Sequence, residues 1–214
     1  MPATATPRKR RAYAARVPEE QRRTELLDAA LHLVVVEGHN AVTMAAVAEQ
    51  AGVTKPVVYG LFANRADLLA DLLRREQEQA LAQLLAVLPS DFDKRSLDAP
   101  GDQLAALLER FLGVVREAPE RWHCIVMQMP DMPAEFLSAR ETARAIALVR
   151  VEQIARWLLR SLDAPPELDA EIVAHTMVGV FESAARLVLS DPEHFKPERF
   201  VASLRAATGM ALRR

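Results

Sequence analysis

His123 and Cys124 stand side by side in this chain, and a thiol beside an imidazole is the pairing from which reactive cysteines are built. Adjacent residues on a helix point apart, however, so a buried, inert cysteine is the expectation. The five histidines (His32, His39, His123, His175 and His194) fall at no metal-ligand spacing. A single cysteine leaves no internal disulfide and no all-cysteine zinc site. No nucleophile elbow or phosphate loop is found. Glycine numbers only 7 in 214 residues, about half the average usage of roughly 7%, which also argues against sandwiches and propellers. The expectation is a protein that is not an enzyme and needs neither metal nor cofactor.

The chemistry that remains is recognition. Residues 1–75 hold eleven basic and eight acidic side chains, and the remainder sixteen and twenty-one. The first 16 residues carry Arg8, Lys9, Arg10, Arg11 and Arg16 and no acid. A short basic arm ahead of an acidic body is the charge footprint of a nucleic-acid contact. This N-terminus lacks the apolar stretch of a secretory signal. No unbroken apolar run approaches the ~18 residues that span a membrane. A cytoplasmic protein with no membrane partner is expected.

Helices must position these groups. The 13 prolines fall almost entirely at joints between stretches rich in Ala, Leu, Glu, Arg and Gln, the strong helix formers. The pattern predicts an all-α chain of about nine helices: 19–37, 44–50, a short one up to Leu61, 65–88, then 101–117, 119–128, 133–162, 167–190 and 194–212. An acidic linker at 89–100 separates the fourth and fifth. Thr43, Thr54 and Asn64 are the expected N-caps, and Asp67 sits three residues after Asn64, close to a capping box. The division expected is a basic arm at 1–16, a DNA-binding domain at 17–65 and a ligand-binding and dimerisation domain at 66–214.

Residues 43–62 read as two short helices crossing at a sharp turn. Ala48 permits close approach, and Gly52 accepts the left-handed backbone that residues with a Cβ resist. Val47, Val53, Val58 and Phe62 plug the underside. Thr54, Lys55, Pro56, Val57, Tyr59 and Gly60 are left on or near the outward side, suited to the ~12 Å major groove.

The run from Arg22 to Leu69 resembles the DNA-binding domain of the TetR family of transcriptional repressors. The likeness rests on Glu37-Gly38, Thr43, Val47-Ala48, Ala51-Gly52-Val53-Thr54, Val58-Tyr59, Phe62, and Asn64-Arg65 followed by Asp67-Leu68-Leu69. The resemblance implies that Thr43 holds a DNA phosphate, and that Lys55, Pro56 and Val57 face the groove. There Lys55 would reach guanine or phosphate, and Pro56 and Val57 a thymine methyl. It also implies phosphate contacts from Tyr59 and from Arg65, where the family usually has lysine. Gly60 and Leu61 depart from the aromatic or histidine side chains common there, shifting part of the affinity toward Arg10 and Arg11 of the arm.

In the body, methionines and aromatics gather around the joints. Phe111, Trp122, Met127, Met132, Phe136, Arg144, His175 and Phe181 are the candidates to line an effector pocket, methionine being adaptable to varied apolar shapes. Plain core packing is the alternative for each of them. Gly179 and Ser183, four apart, allow close approach of a second helix, with Leu187 beside them and Phe200 and Leu204 on the last helix. These five are the candidate dimer surface, which the resemblance implies is a four-helix bundle between two copies. The combined expectation is a homodimeric repressor released from operator DNA by an unidentified small molecule. A small-molecule-binding helical protein with a weak or vestigial DNA reader is the alternative.

Overall fold

The computed structural model describes residues 18–88, 100–127, 134–161 and 163–211. The basic arm, the 89–99 linker and Met132 lie outside these residues, as does the side chain of Phe136. Among the described residues there are nine α-helices and no strand: α1 (Glu19–Glu37), α2 (Met44–Gln50), α3 (Lys55–Tyr59), α4 (Arg65–Val87), α5 (Pro100–Glu117), α6 (Pro119–Val126), α7 (Ala134–Ser161), α8 (Ala170–Ser190) and α9 (Pro197–Ala211). The element bounds follow the prolines closely. One short 3-10 turn, His39–Ala41, was not expected.

Local signals fix the joints. The Thr43 hydroxyl oxygen accepts from the Ala46 N–H at 3.0 Å. Asn64 Oδ1 accepts from the Asp67 N–H at 3.0 Å while Asp67 Oδ2 accepts from the Ala63 N–H at 3.1 Å, so the start of α4 is tied from both sides. Thr54 precedes α3 without a side-chain cap bond, which leaves its hydroxyl unspent. Gly52, at φ +65°, makes the turn between α2 and α3. Gly101 has a different reason to be glycine, because a Cβ there would collide with the Thr208 side chain where α5 lies along α9.

Two apolar cores form. The first joins α1, α2 and α3 to the start of α4, from Leu26 to Leu73, and also takes in Cys124 of α6. The second gathers Ala80 and Val87 of α4 with residues of α5, α6, α7 and α8. Helix α4 therefore belongs to both.

A chain of ion pairs laces α1, α4 and α6 together. Arg75 pairs with Asp28 of α1 at 2.8 Å and with Glu76 at 2.6 Å, and Glu76 pairs with Arg121 of α6 at 2.9 Å. Glu76 is 1% exposed, and a carboxylate so buried persists only when both oxygens are paired. Higher up, Arg23 of α1 pairs with Asp71 of α4 and stacks over the Phe62 ring at 4.6 Å. Burial alone would raise the Asp71 carboxyl, but hydrogen bonds from Arg23 and Arg74 outweigh it and hold the group below its usual value.

Helix α8 departs from the expectation about apolar runs. Its 21 residues include an 18-residue stretch of mean hydropathy 1.4, long and apolar enough to cross a membrane by length and composition. His175, Thr176, Glu182 and Arg186 interrupt the stretch without lowering its average much. The Glu182 carboxylate pairs with Arg144 of α7 at 2.9 Å, and Ala174, Ala184, Ala185 and Val188 pack in the second core.

Candidate DNA-reading helix and effector cavity

The crossing of α2 and α3 sorts its side chains sharply. Val47 and Val58 are fully buried, and Ala48 and Phe62 nearly so. Thr54, Lys55, Pro56, Val57 and Gly60 are exposed, and Tyr59 stands 56% exposed. An aromatic residue that open, beside a lysine on a rigidly backed helix, presents one donor hydroxyl and one cation outward. The Thr43 side chain is exposed at the start of α2. Leu61 instead packs against the first core, so it offers nothing to a groove.

Arg65 is engaged by its own chain. Its Nε donates to the Val42 carbonyl and its Nη2 to the His39 carbonyl, both at 2.6 Å. The half-buried guanidinium thus clamps the segment just ahead of Thr43 onto the start of α4. The family likeness at this position gives no sign of that local job, which depends on two backbone carbonyls lying within reach of the guanidinium. Arg10 and Arg11 lie outside the described residues.

Below the reader, α4, α5, α6, α7 and α8 enclose a cavity of about 110 Å³. One water-sized sphere needs roughly 10–15 Å³ by this measure, so the space accommodates a molecule several times larger than water. The walls are apolar except for Gln77, Arg140, Arg144 and Glu182. Phe111, Trp122, Arg144 and Phe181 meet in its walls. Phe111 meets Trp122 edge-on with centroids 5.2 Å apart and lies 5.5 Å from Phe181. The Trp122 indole N–H donates to Gln83 Oε1 at 3.1 Å, so this ring is locked by a bond as well as by packing.

Met127 and His175 are not brought to these walls. Met127 ends α6, and its carbonyl receives a long hydrogen bond from Arg140. His175 is exposed because the inward face of α8 runs through Ala174, Val178, Phe181 and Ala185, a spacing that turns position 175 outward. Burial pushes the His123 imidazole below its usual value. Gln77 and Arg140 were missed, because nothing in a helical sequence says which polar side chain faces a void.

Cys124 points to the reader's core. Burial first, then the nearby Glu76 and Glu120 carboxylates, push its thiol up to about 12. At pH 8 the folded protein should resist alkylation by iodoacetamide, and the unfolded chain should react promptly. A mass increase of one adduct in the native protein within minutes would show a thiolate that this burial does not permit.

The expected dimer residues divide. Gly179 is half-buried with open space where a Cβ would be, and Ser183 is exposed beside Ile172, Val180 and Leu187 on the outer face of α8. Phe200 and Leu204 lie against the chain's own second core instead, because α9 packs along α5. Among the described residues no three metal-binding side chains cluster.

Comparison with known proteins matches this arrangement. Residues 26–72 match the family model described as bacterial regulatory proteins, tetR family. The transcriptional activator FasR of Mycolicibacterium smegmatis is 29% identical over 110 residues, 51% of this chain and 48% of its own length. The match thus spans about half of that relative. The transcriptional repressor KstR of Rhodococcus jostii is 28% identical over 170 residues, covering 77% of this chain and 71% of its own. A TetR-like transcriptional regulator from Rhodococcus sp. RHA1 superposes with a TM-score of 0.66 at 25% identity, over 92% of this chain and 99% of its own. The chain is thus similar to regulators of the tetR family, through residues 26–72 above all.

Proposed function

We propose that the protein is a ligand-responsive transcriptional regulator, a homodimeric repressor that leaves its operator when a small molecule enters the cavity. One observation carries the reading: α4 begins at the reader and runs unbroken into the cavity wall. It is capped at Asn64 and bonded to the reader through Arg65 and Asp71. About two to four turns beyond Asp71, it supplies Gln77, Ala80, Leu81 and Leu84 to the cavity. A ligand that prefers one tilt of α4 biases the reader by its difference in affinity for the two states.

In this reading Lys55, Pro56 and Val57 enter the major groove and Thr54 borders it. Thr43 and Tyr59 hold phosphates, and Arg65 acts by fixing the segment before Thr43. The outer face of α8, with Gly179, Ser183 and Leu187, pairs with its copy and sets two readers about one DNA turn apart, roughly 34–36 Å. FasR and KstR bear the names of an activator and a repressor. Repression is our choice because release by ligand needs only the α4 linkage.

The test is fluorescence anisotropy with duplex DNA from upstream of the protein's own gene, against an unrelated duplex of equal length. Specific binding as a dimer is expected, weakened about 5–150-fold by cavity ligands, the span of a typical ~1–3 kcal/mol coupling. Equal, weak affinity for both duplexes would favour a helical small-molecule binder with a vestigial reader, the reading to which the bare Gly60 lends some support.

A further inference from the structure

Gln77 is 8% exposed and lies in the cavity wall. Its Nε2 is the one buried side-chain nitrogen or oxygen without a hydrogen-bond partner among the described residues. Buried amide donors are almost always satisfied, and an orphan needs an explanation. Water is a poor candidate, because a buried water needs two to four polar partners and most of this wall is hydrocarbon and aromatic ring.

We propose that Gln77 is the cavity's recognition donor, and that its amide hydrogen-bonds a neutral carbonyl-class oxygen on an otherwise apolar effector. The inference rests on the cavity being the effector site. The donor's surroundings select neutral oxygen over carboxylate. A bare anion beside Gln77 would need a compensating cation. The Arg144 guanidinium already pairs with Glu182 at 2.9 Å and stands at a more exposed part of the wall, its side chain 36% exposed, and Arg140, the other cation of the wall, is directed to the Met127 carbonyl. The apolar body is set by Phe111, Trp122 and Phe181, which offer faces and edges and no further donor, the Trp122 N–H being engaged by Gln83. Gln77 also neighbours Glu76 on α4, the carboxylate that links this helix to α6 through Arg121. The bond would therefore form on the helix that carries the reader.

A site with an unmet donor rejects a shape-matched ligand that cannot satisfy it. The experiment is titration of the full chain with 4-phenyl-2-butanone and n-butylbenzene, followed by tryptophan fluorescence. The ketone is expected to bind about tenfold tighter than the hydrocarbon, and Gln77→Met is expected to reverse the order, because the apolar wall then favours the hydrocarbon. The carbonyl stretch of the bound, carbon-13-labelled ketone gives a second readout that needs no variant. It should fall below its frequency in hexane for the native protein. Equal binding of both probes with an unshifted carbonyl overturns the role of Gln77 and leaves the cavity as a ligand site. Failure of both probes to bind overturns the role of Gln77 together with the effector-site reading.

Discussion

Alanine at Lys55 should weaken operator binding on the order of 30- to 10⁴-fold. A contact to a base edge is worth ~1–3 kcal/mol, and in a two-fold dimer each substitution is made twice, giving roughly 2–6 kcal/mol. The side chain is exposed, so folding should be untouched. How the loss is distributed separates two roles. If Lys55 reads a guanine, the preference among operator variants relaxes at one position in each half-site. If it neutralises phosphate, affinity falls evenly for all sequences and the salt slope drops by about 2 for the dimer. Tyr59→Phe removes only a hydroxyl and should produce the even kind of loss, smaller in size. Unchanged affinity in both variants, measured by anisotropy across a salt series, would mean that α3 does not touch DNA.

The second large effect concerns Trp122. Its ring is 3% exposed, stacked edge-on against Phe111 and bonded to Gln83. Trp122→Ala removes a fully packed aromatic next to an existing void, so the surroundings gain little by collapsing. The cost should be about 3–5 kcal/mol, which for a chain of this size lowers Tm by roughly 6–20 °C. Trp122→Phe keeps most of the apolar area and loses the indole N–H bond, so it should cost only about 1 kcal/mol. Thermal unfolding by circular dichroism checks both. Equal, small shifts in the two variants would indicate a ring that is not part of the packed core.

Much of the architecture could be read from residue types, for physical reasons that can be named. Proline cannot continue a helix and excellent helix formers fill the gaps, so the helix ends were marked almost residue by residue. Gly52 was legible because only a positive φ makes the turn between α2 and α3, and Val47, Val58 and Phe62 because their spacing admits one buried side. Other features depend on what lies opposite a side chain, which no local pattern encodes. Glu76 looks like any solvated helix glutamate until Arg121 arrives from 45 residues away. Gln77 looks the same as the exposed Gln79 two positions on. Arg65 carries a family signal for phosphate, and nothing in that signal tells of its bonds to the nearby His39 and Val42 carbonyls. That Phe200 and Leu204 lie against the second core depends on the packing of α9 along α5 at Gly101, a contact between distant residues.

Helix α6 is only eight residues long, yet it serves both cores. Trp122 and Val126 face the cavity, Cys124 enters the reader's core, and Glu120 meets His32 of α1 at 2.8 Å. The two halves are therefore not interchangeable parts. A chimera cut at residue 65, joining this sensor to another regulator's head, would expose Cys124 and strand Glu120 against a foreign surface. Grafts that move α1 to α4 together with the facing side of α6 should keep their response, whereas cuts made at the end of the helix-turn-helix should yield heads deaf to the sensor below.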